Sequence, residues 1–249
     1  MKTRKAIYPI ALLLILVGLW YFLTNVYGVK EIFLPDPGKT FKALIGLFQQ
    51  NEFWADLGSS WYRVFVGFVI SFIIAYPISL LAVWNNTFRD NIFYVVEFFR
   101  YLPVPVFIPI TILWFGVDDM SKIVIIILGT FAQMIPMFYD SAIAVEKKYA
   151  AFNFALKWSK WSYIENVVIK GSAPAILDNS RICLGWAWTY LIVAEIVGAE
   201  HGIGYAMIRA QRYLATDKIF AYIIVIGLIG ILTDRTLVYL RKRIFTWHK

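Results

Sequence analysis

The sequence predicts an all-α, polytopic membrane bundle of about six transmembrane helices, and three observations predict it. Hydrophobic residues make up 60% of the 249-residue chain and charged residues 16%, with a mean hydropathy of +0.66. A soluble domain is roughly half apolar and a quarter charged, so one soluble core of this length cannot bury so much apolar surface. Apolar runs of the ~20 residues needed to cross a hydrocarbon core recur at about 7–27, 58–84, 92–116, 121–145, 174–198 and 217–240. Lysine and arginine concentrate in alternate connecting segments, as the positive-inside rule requires.

The first run, within MKTRKAIYPIALLLILVGLWYFL, begins like a signal peptide. Its apolar stretch continues to Val26 and no small-x-small cleavage site follows, so the reading is a retained span. Residues 28–57 form an outer loop with a Pro-Asp-Pro-Gly turn and then a short amphipathic helix from about Gly38 to Gln50. The third run contains FRYLPVPVFIPITILWFG, with Pro103, Pro105 and Pro109 inside seven residues. Each proline removes a backbone donor and costs a helix interior about 3 kcal/mol. Irregular backbone at membrane depth is tolerated only where protein or a water-filled cavity satisfies it. The stretch is either a broken span facing a pathway, with Val104, Val106 and Ile108 open to water, or a kinked structural helix. Trp114 and Phe115 would anchor its outer end and Gly116 would end it.

The segment 146–173 is the longest on the Lys-rich side. Tyr149, Phe152, Leu156 and Tyr163 fall near one helical face. Such a helix lies on the membrane surface or enters a partner's groove; Gly171 and Pro174 mark a turn before the fifth span. That span carries Arg181 and Glu195, about 21 Å apart by helix rise and unable to pair directly. Ionisable groups at such depth face a bundle interior or cavity. Glu195 either lines a pathway or ties helices by hydrogen bonds, and the second is favoured because an acid repels an anion. Trp188 lies in the same span, where packing is the plainer role for an indole. Gly198, Gly202 and Gly204 then allow sharp turns, in a gate-like re-entrant loop or an ordinary outer one.

Lys2, Arg4, Lys5, Arg89, Lys147, Lys148, Lys157, Lys160, Lys170, Arg241, Lys242, Arg243 and Lys249 fall on one side, which makes both termini cytoplasmic. The other side carries Lys30, Lys39, Lys42, Lys122, Arg209 and Arg212, diluted by acids. The net charge of +8 reflects these loops; with no basic stripe on a soluble domain, nucleic acid is not an expected partner. Cys183 is the single cysteine, which excludes an intrachain disulfide. His201 and His248 are far apart and no metal-ligand set is legible. There is no paired-carboxylate motif, nucleophile elbow or P-loop, so the chain is not expected to be an enzyme or to hydrolyse ATP itself.

The sequence resembles the membrane permease subunits of bacterial ABC importers, in the branch handling nitrate, sulfonates and taurine. Phe33-Leu34-Pro35-Asp36-Pro37 resembles the family's LPSP. Pro103, Pro105, Pro109, Ile112-Leu113-Trp114-Phe115-Gly116 and Ser121-Lys122-Ile123 are similar to its proline-rich stretch ending in WFG and SK. Val193-Ala194-Glu195, Gly198 and Gly202-Ile203-Gly204 are similar to its VAE and GxG, and Arg243 and Trp247 to its tail. The resemblance spans nearly the whole chain and implies one permease domain over 1–249 in the bacterial cytoplasmic (inner) membrane. It also implies a second permease subunit, in a homodimer or heterodimer, two ABC ATPase subunits that bind ATP and Mg²⁺, and a soluble or lipid-anchored substrate-binding protein. Membrane lipid surrounds the chain, which needs no cofactor of its own.

The family's coupling loop carries an EAA---G---I-LP pattern. Aligned back from Gly171 and Pro174, Ala151 stands at its acidic position, Asn153 at the second alanine and Lys157 at the glycine; Ile169-Lys170 replaces Leu-Pro. Either the ATPase groove is adapted to Trp158, Lys160 and Trp161, or the chain is the divergent half of a heterodimer. The implied solute is a small anion. The alternatives are a thiamine-precursor-like heterocycle carried by the same machinery, a secondary transporter or channel without an ATPase, or a membrane-embedded enzyme. The lack of intramembrane acids for proton relay and of a catalytic constellation argues against the last two.

Overall fold

A computed structural model describes residues 2–247, with the side chains of residues 2–7, 9, 10 and 156 outside that description. Met1, His248 and Lys249 lie outside the described residues, as do the side chains of Lys2, Arg4 and Lys5 whose charge entered the orientation argument.

All regular elements among the described residues are helical. Helix α1 (Lys2–Tyr21) runs into a π-turn, Phe22–Val26. Helix α2 (Pro37–Phe48) starts at the expected Pro-Asp-Pro-Gly turn: Asp36 is its N-cap and accepts the Lys39 N–H at 3.1 Å, with Pro37 in the first turn. Then follow α3 (Asn51–Trp84), α4 (Asn86–Tyr101), a 3₁₀ turn (Val104–Phe107), α5 (Ile108–Phe115) and α6 (Asp119–Leu156). The chain ends with α7 (Lys160–Tyr163), a π-turn (Ile164–Ile169), α8 (Lys170–Gly198), α9 (Ile203–Arg212) and α10 (Thr216–Ile244).

Helices α3, α6, α7–α8 and α10 are long and apolar enough to cross a membrane, and the α4–α5 pair makes a fifth span if its 87° bend is counted within one crossing. Among the described residues, the apolar run Ala11–Val26, from α1 through the π-turn, is shorter than these. The expected membrane bundle is thus present, with four to five helices or helix pairs of spanning length and a shorter apolar helix before them among the described residues.

Helices α3, α6 and α8 form the centre. The buried stripe of α3 includes Ser60, Gly67, Ser71, Ala75, Ser79 and Ala82, small residues that let backbones approach without a hydrophobic drive between them in lipid. A Cβ on Gly67 would lie 2.7 Å from Ile126 Cγ2 on α6. Thr130 of α6 donates to Ser71 Oγ (2.6 Å), and Ser79 donates to the Ile135 carbonyl (3.0 Å). On the other side of α6, Gly129 receives the Tyr190 ring of α8; a Cβ there would meet it at 2.3 Å. Helices α2, α9 and α10, with Phe53 of α3, close a second core that also holds Leu47, Ile203 and Tyr222.

Two expectations for segment 146–173 are corrected. Gly171 and Pro174 do not make a turn; both lie inside a helical run from Lys160 to Gly198. A Cβ on Gly171 would meet Val145 of α6 at 2.8 Å, so the glycine serves close packing. The π-turn just before Pro174 is the kind of local adjustment that lets a membrane helix absorb a proline. Nor does Tyr163 share a face with Tyr149 and Phe152. The helix ends at Leu156, which breaks the 3.6-residue register, and Tyr163 is buried with its hydroxyl on the Glu146 carbonyl (2.8 Å) while the other two are exposed.

Candidate functional site

Three places gather the residues singled out above. The first is the proline stretch. Helix α4 stops at Tyr101, Pro103 is extended (φ −63°, ψ 113°), and the chain restarts through the 3₁₀ turn. Pro109 stands in the first turn of α5, where its missing N–H costs nothing. Gly116, at φ +72°, ends α5, its N–H donating to the Ile112 carbonyl at 2.8 Å. Val104 and Ile108 are buried against Ile125 and Ala194, whereas Val106 is 67% exposed. Of the three positions expected to be open, Val106 alone is exposed and Val104 and Ile108 are corrected to buried, because a 3₁₀ turn sends successive side chains to different sides. A cleft of about 300 Å³ opens at the break, walled by Arg100, Tyr101, Pro103, Pro105, Gln133 and Tyr190.

The second place is a buried polar knot joining the N-terminal parts of α3 and α6 to the C-terminal part of α8. Glu195, 1% exposed, accepts from Ser60 Oγ (2.8 and 3.0 Å), Arg63 Nη1 (2.6 Å) and the Gly204 N–H (2.9 Å). Arg63, 4% exposed, also reaches Asp119 Oδ1 through Nε (2.7 Å) and Nη2 (2.6 Å), and the His201 carbonyl (2.8 Å). Asp56 accepts the Gly202 N–H at 2.7 Å, and Ser60 accepts that of Ile203 at 3.0 Å. The glycines fit this role. Gly202 has φ +121°, and a Cβ on it would sit 2.4 Å from Glu195 Oε1; one on Gly204 would meet Glu195 Cβ at 2.7 Å. Lys122 closes the preceding turn on the Val117 and Asp118 carbonyls. Gly198 packs on α5 instead, its missing Cβ leaving room for Ile112 Cδ1 at 2.5 Å. Ser60 and Arg63 were missed at the sequence level; a lone arginine inside an apolar run, matched by a lone glutamate in another, was the signal.

The third place is the turn at the far end of α6. Lys157, at the position aligned with the family's glycine, has φ +53° and ψ 34°, the left-handed conformation glycine adopts without strain. Ser159 then caps α7, accepting the Ser162 N–H. Trp158 and Trp161 are 41% and 62% exposed. Trp161 packs on Trp84 at the end of α3 (centroids 5.8 Å), and the Lys160 ammonium lies 5.3 Å over the Trp84 ring and bonds its carbonyl. Ala151 is exposed, and Asn153 Oδ1 is buried without a partner.

The remaining residues do not join the cleft. Arg181 is held by Asp178 (3.0 Å) and by Asp234 of α10 (2.7 Å). Trp188 is 4% exposed in the α3–α6–α8 core, against Trp61 (5.4 Å).

Residues 67–246 match the family described as "Binding-protein-dependent transport system inner membrane component". An ABC transporter permease protein of Brucella abortus (strain 2308) is 31% identical over 94% of this chain and 92% of its own length. SsuC, an aliphatic sulfonates transport permease of Bacillus subtilis (strain 168), is 30% identical over 94% and 84%. TauC, the taurine transport permease of Escherichia coli (strain K12), is 27% identical over 99% and 91%. Among solved structures, a chain of a bacterial ABC transporter that imports the acidic polysaccharide alginate superposes with TM-score 0.62 over 98% of this chain and 99% of that one, at 14% identity. With the helical bundle, the proline break and the VAE–GxG knot in place, the chain belongs to the binding-protein-dependent inner-membrane components, as an ABC transporter permease of the nitrate, sulfonate and taurine branch.

Proposed function

We propose that this permease imports a small organic or inorganic anion of sulfonate, taurine or nitrate type, delivered by a binding protein and driven by two separate ATPase subunits. The observation that carries the reading is the match, over nearly the full chain, to permeases named for taurine and for aliphatic sulfonates. Both termini and the Lys157–Tyr163 turn face the cytoplasm of a bacterial inner membrane in this reading, and the α9 end faces outward.

The division of labour follows from packing. Trp158, Lys160 and Trp161 form an exposed knuckle, with Lys160 and Trp161 packed on Trp84 at the end of α3, and they dock in an ATPase groove. ATP and Mg²⁺ bind to that partner. Its movement travels along α3 and α6, which close small-residue packing makes one rigid pair. The proline break between α4 and α5 is the compliant part of the wall, able to shift as the two faces open in turn. A second permease subunit completes the pathway.

Affinity purification in mild detergent tests the assembly. A P-loop ATPase should co-purify, and proteoliposomes of the complex with its binding protein should take up taurine or ethanesulfonate only with ATP. Uptake without any ATPase would mark a secondary transporter; ATP-driven uptake of a neutral pyrimidine in place of the anions would mark the heterocycle alternative.

A further inference from the structure

We infer that Arg100 is the anion-selecting residue of the pathway, presented at mid-membrane by the end of α4 and aligned by Gln133. This rests on the importer reading above and names the side chain that would give it its substrate class.

Arg100 is exposed, in the last turn of α4. A cation there complements the helix dipole, but that role asks for no particular depth. The depth is fixed by its partner: Nε donates to Gln133 Oε1 of α6 at 3.2 Å. Gln133 lies about 21 Å along α6 from Asp119 at 1.5 Å per residue, near the middle of the apolar run 121–145. An exposed arginine at that level is expensive against hydrocarbon, and such residues face a bundle interior or a water-filled path. Arg63 and Arg181 are both spent on carboxylates, whereas among the described residues Arg100 has only the amide of Gln133.

The surroundings suit a small oxyanion. Arg100, Gln133 and Tyr101 border the 300 Å³ cleft at the broken backbone, with Tyr190 behind it. A guanidinium presents paired donors to carboxylate-, sulfonate- or nitrate-like oxygens. The Gln133 bond through Nε leaves the terminal nitrogens free for the solute. Glu97, one turn earlier on α4, is also exposed and makes the same face unwelcoming to anions once the arginine is removed.

The test reads local charge selection and does not depend on the natural solute. In the assembled complex, Gln133→Cys in a Cys183→Ser background is labelled with the anionic 2-sulfonatoethyl and the cationic 2-(trimethylammonio)ethyl methanethiosulfonates, each rate normalised to a free thiol. The anionic reagent should be preferred by roughly tenfold, the scale set by one unit charge a few ångströms away in a wet cavity. Adding Arg100→Gln should abolish or invert the preference, and Arg100→Lys should keep most of it; co-purification with the ATPase reports assembly in each variant. A thiol inert to both reagents, or a preference unchanged by Arg100→Gln, overturns the assignment. If Arg100→Gln does not assemble, loss of the preference in Arg100→Lys overturns it. An anion preference at Gln133→Cys that depends on Arg100, together with a wild-type complex that carries neither taurine nor ethanesulfonate, supports the assignment and defeats only the proposed solute class.

Discussion

Arg63 and Arg100 are both arginines within apolar spans, and they are used in opposite ways. Arg63 is buried, with a buried glutamate, an aspartate and a backbone carbonyl taking its donors. Arg100 is exposed and has one weak amide contact. A guanidinium with most of its donors taken by the protein fixes helices; one whose donors are left over, at the mid-membrane depth inferred above, awaits something else. The same contrast separates the regions around them. The knot ties α3, α6, α8 and α9 through hydrogen bonds that glycines make room for, while the α4–α5 break is held mainly by a proline-restricted backbone and a few apolar contacts.

The largest effect should come from breaking the knot. Arg63→Ala leaves Glu195 charged and buried, a defect that costs about 3–5 kcal/mol when one partner of a buried pair is removed. Thermal unfolding in detergent should show a large fall in Tm, or no recoverable protein, whereas Arg100→Gln should leave Tm nearly unchanged. Equal losses in the two variants would erase the distinction.

Next comes the knuckle. Trp158→Ala with Trp161→Ala should lower ATP turnover stimulated by loaded binding protein while the chain still inserts; truncated interface aromatics often cost about 2 kcal/mol or more. Undiminished stimulation would place the docking surface elsewhere.

A smaller effect is expected at the cleft wall. Gly129→Ala puts a methyl where the Tyr190 ring stands, and overpacking of this kind costs about 1–3 kcal/mol. The ring must move toward the cleft, so labelling at Gln133→Cys should slow more than Tm falls.

Much of this architecture was legible in the sequence. The ~20-residue apolar runs located α3, α6, α8 and α10, and Asp36-Pro37 located the start of α2. Helix ends were not: α3 begins at Asn51 and α6 runs to Leu156, because polar, water-facing turns extend a helix without lengthening its apolar run. The turn assigned to Gly171 and Pro174 went wrong because these residues also serve helix packing and π-turns, which only the neighbouring Val145 reveals. The proline break was readable from composition. Its 87° bend and the burial of Val104 and Ile108 were not, since they depend on where α6 and α8 lie.

The smallest effect concerns the turn that starts α2. Hydrogen bonds from Asn25 and then from the Lys39 backbone N–H hold the exposed Asp36 carboxyl below its ordinary value of 3.8. A lowered value in the folded state means the cap's contribution is present above the unfolded value and fades as pH falls through the folded one. A carboxyl-carbon NMR titration should place Asp36 below 3.8, and Asn25→Ala should move it back up; no change in that variant would remove the assigned cause.

The most direct test of the broken span as pathway wall is single-cysteine labelling at Val106, in a Cys183→Ser background, with Ile108→Cys as the buried companion. Val106 is 67% exposed and Ile108 3%. The Val106→Cys thiol should react with a water-soluble maleimide at a rate that changes when ATP and loaded binding protein are added, while Ile108→Cys stays inert. Labelling of Val106→Cys only by lipid-soluble reagents, unchanged by ATP, would show that the break faces the bilayer and is a structural kink.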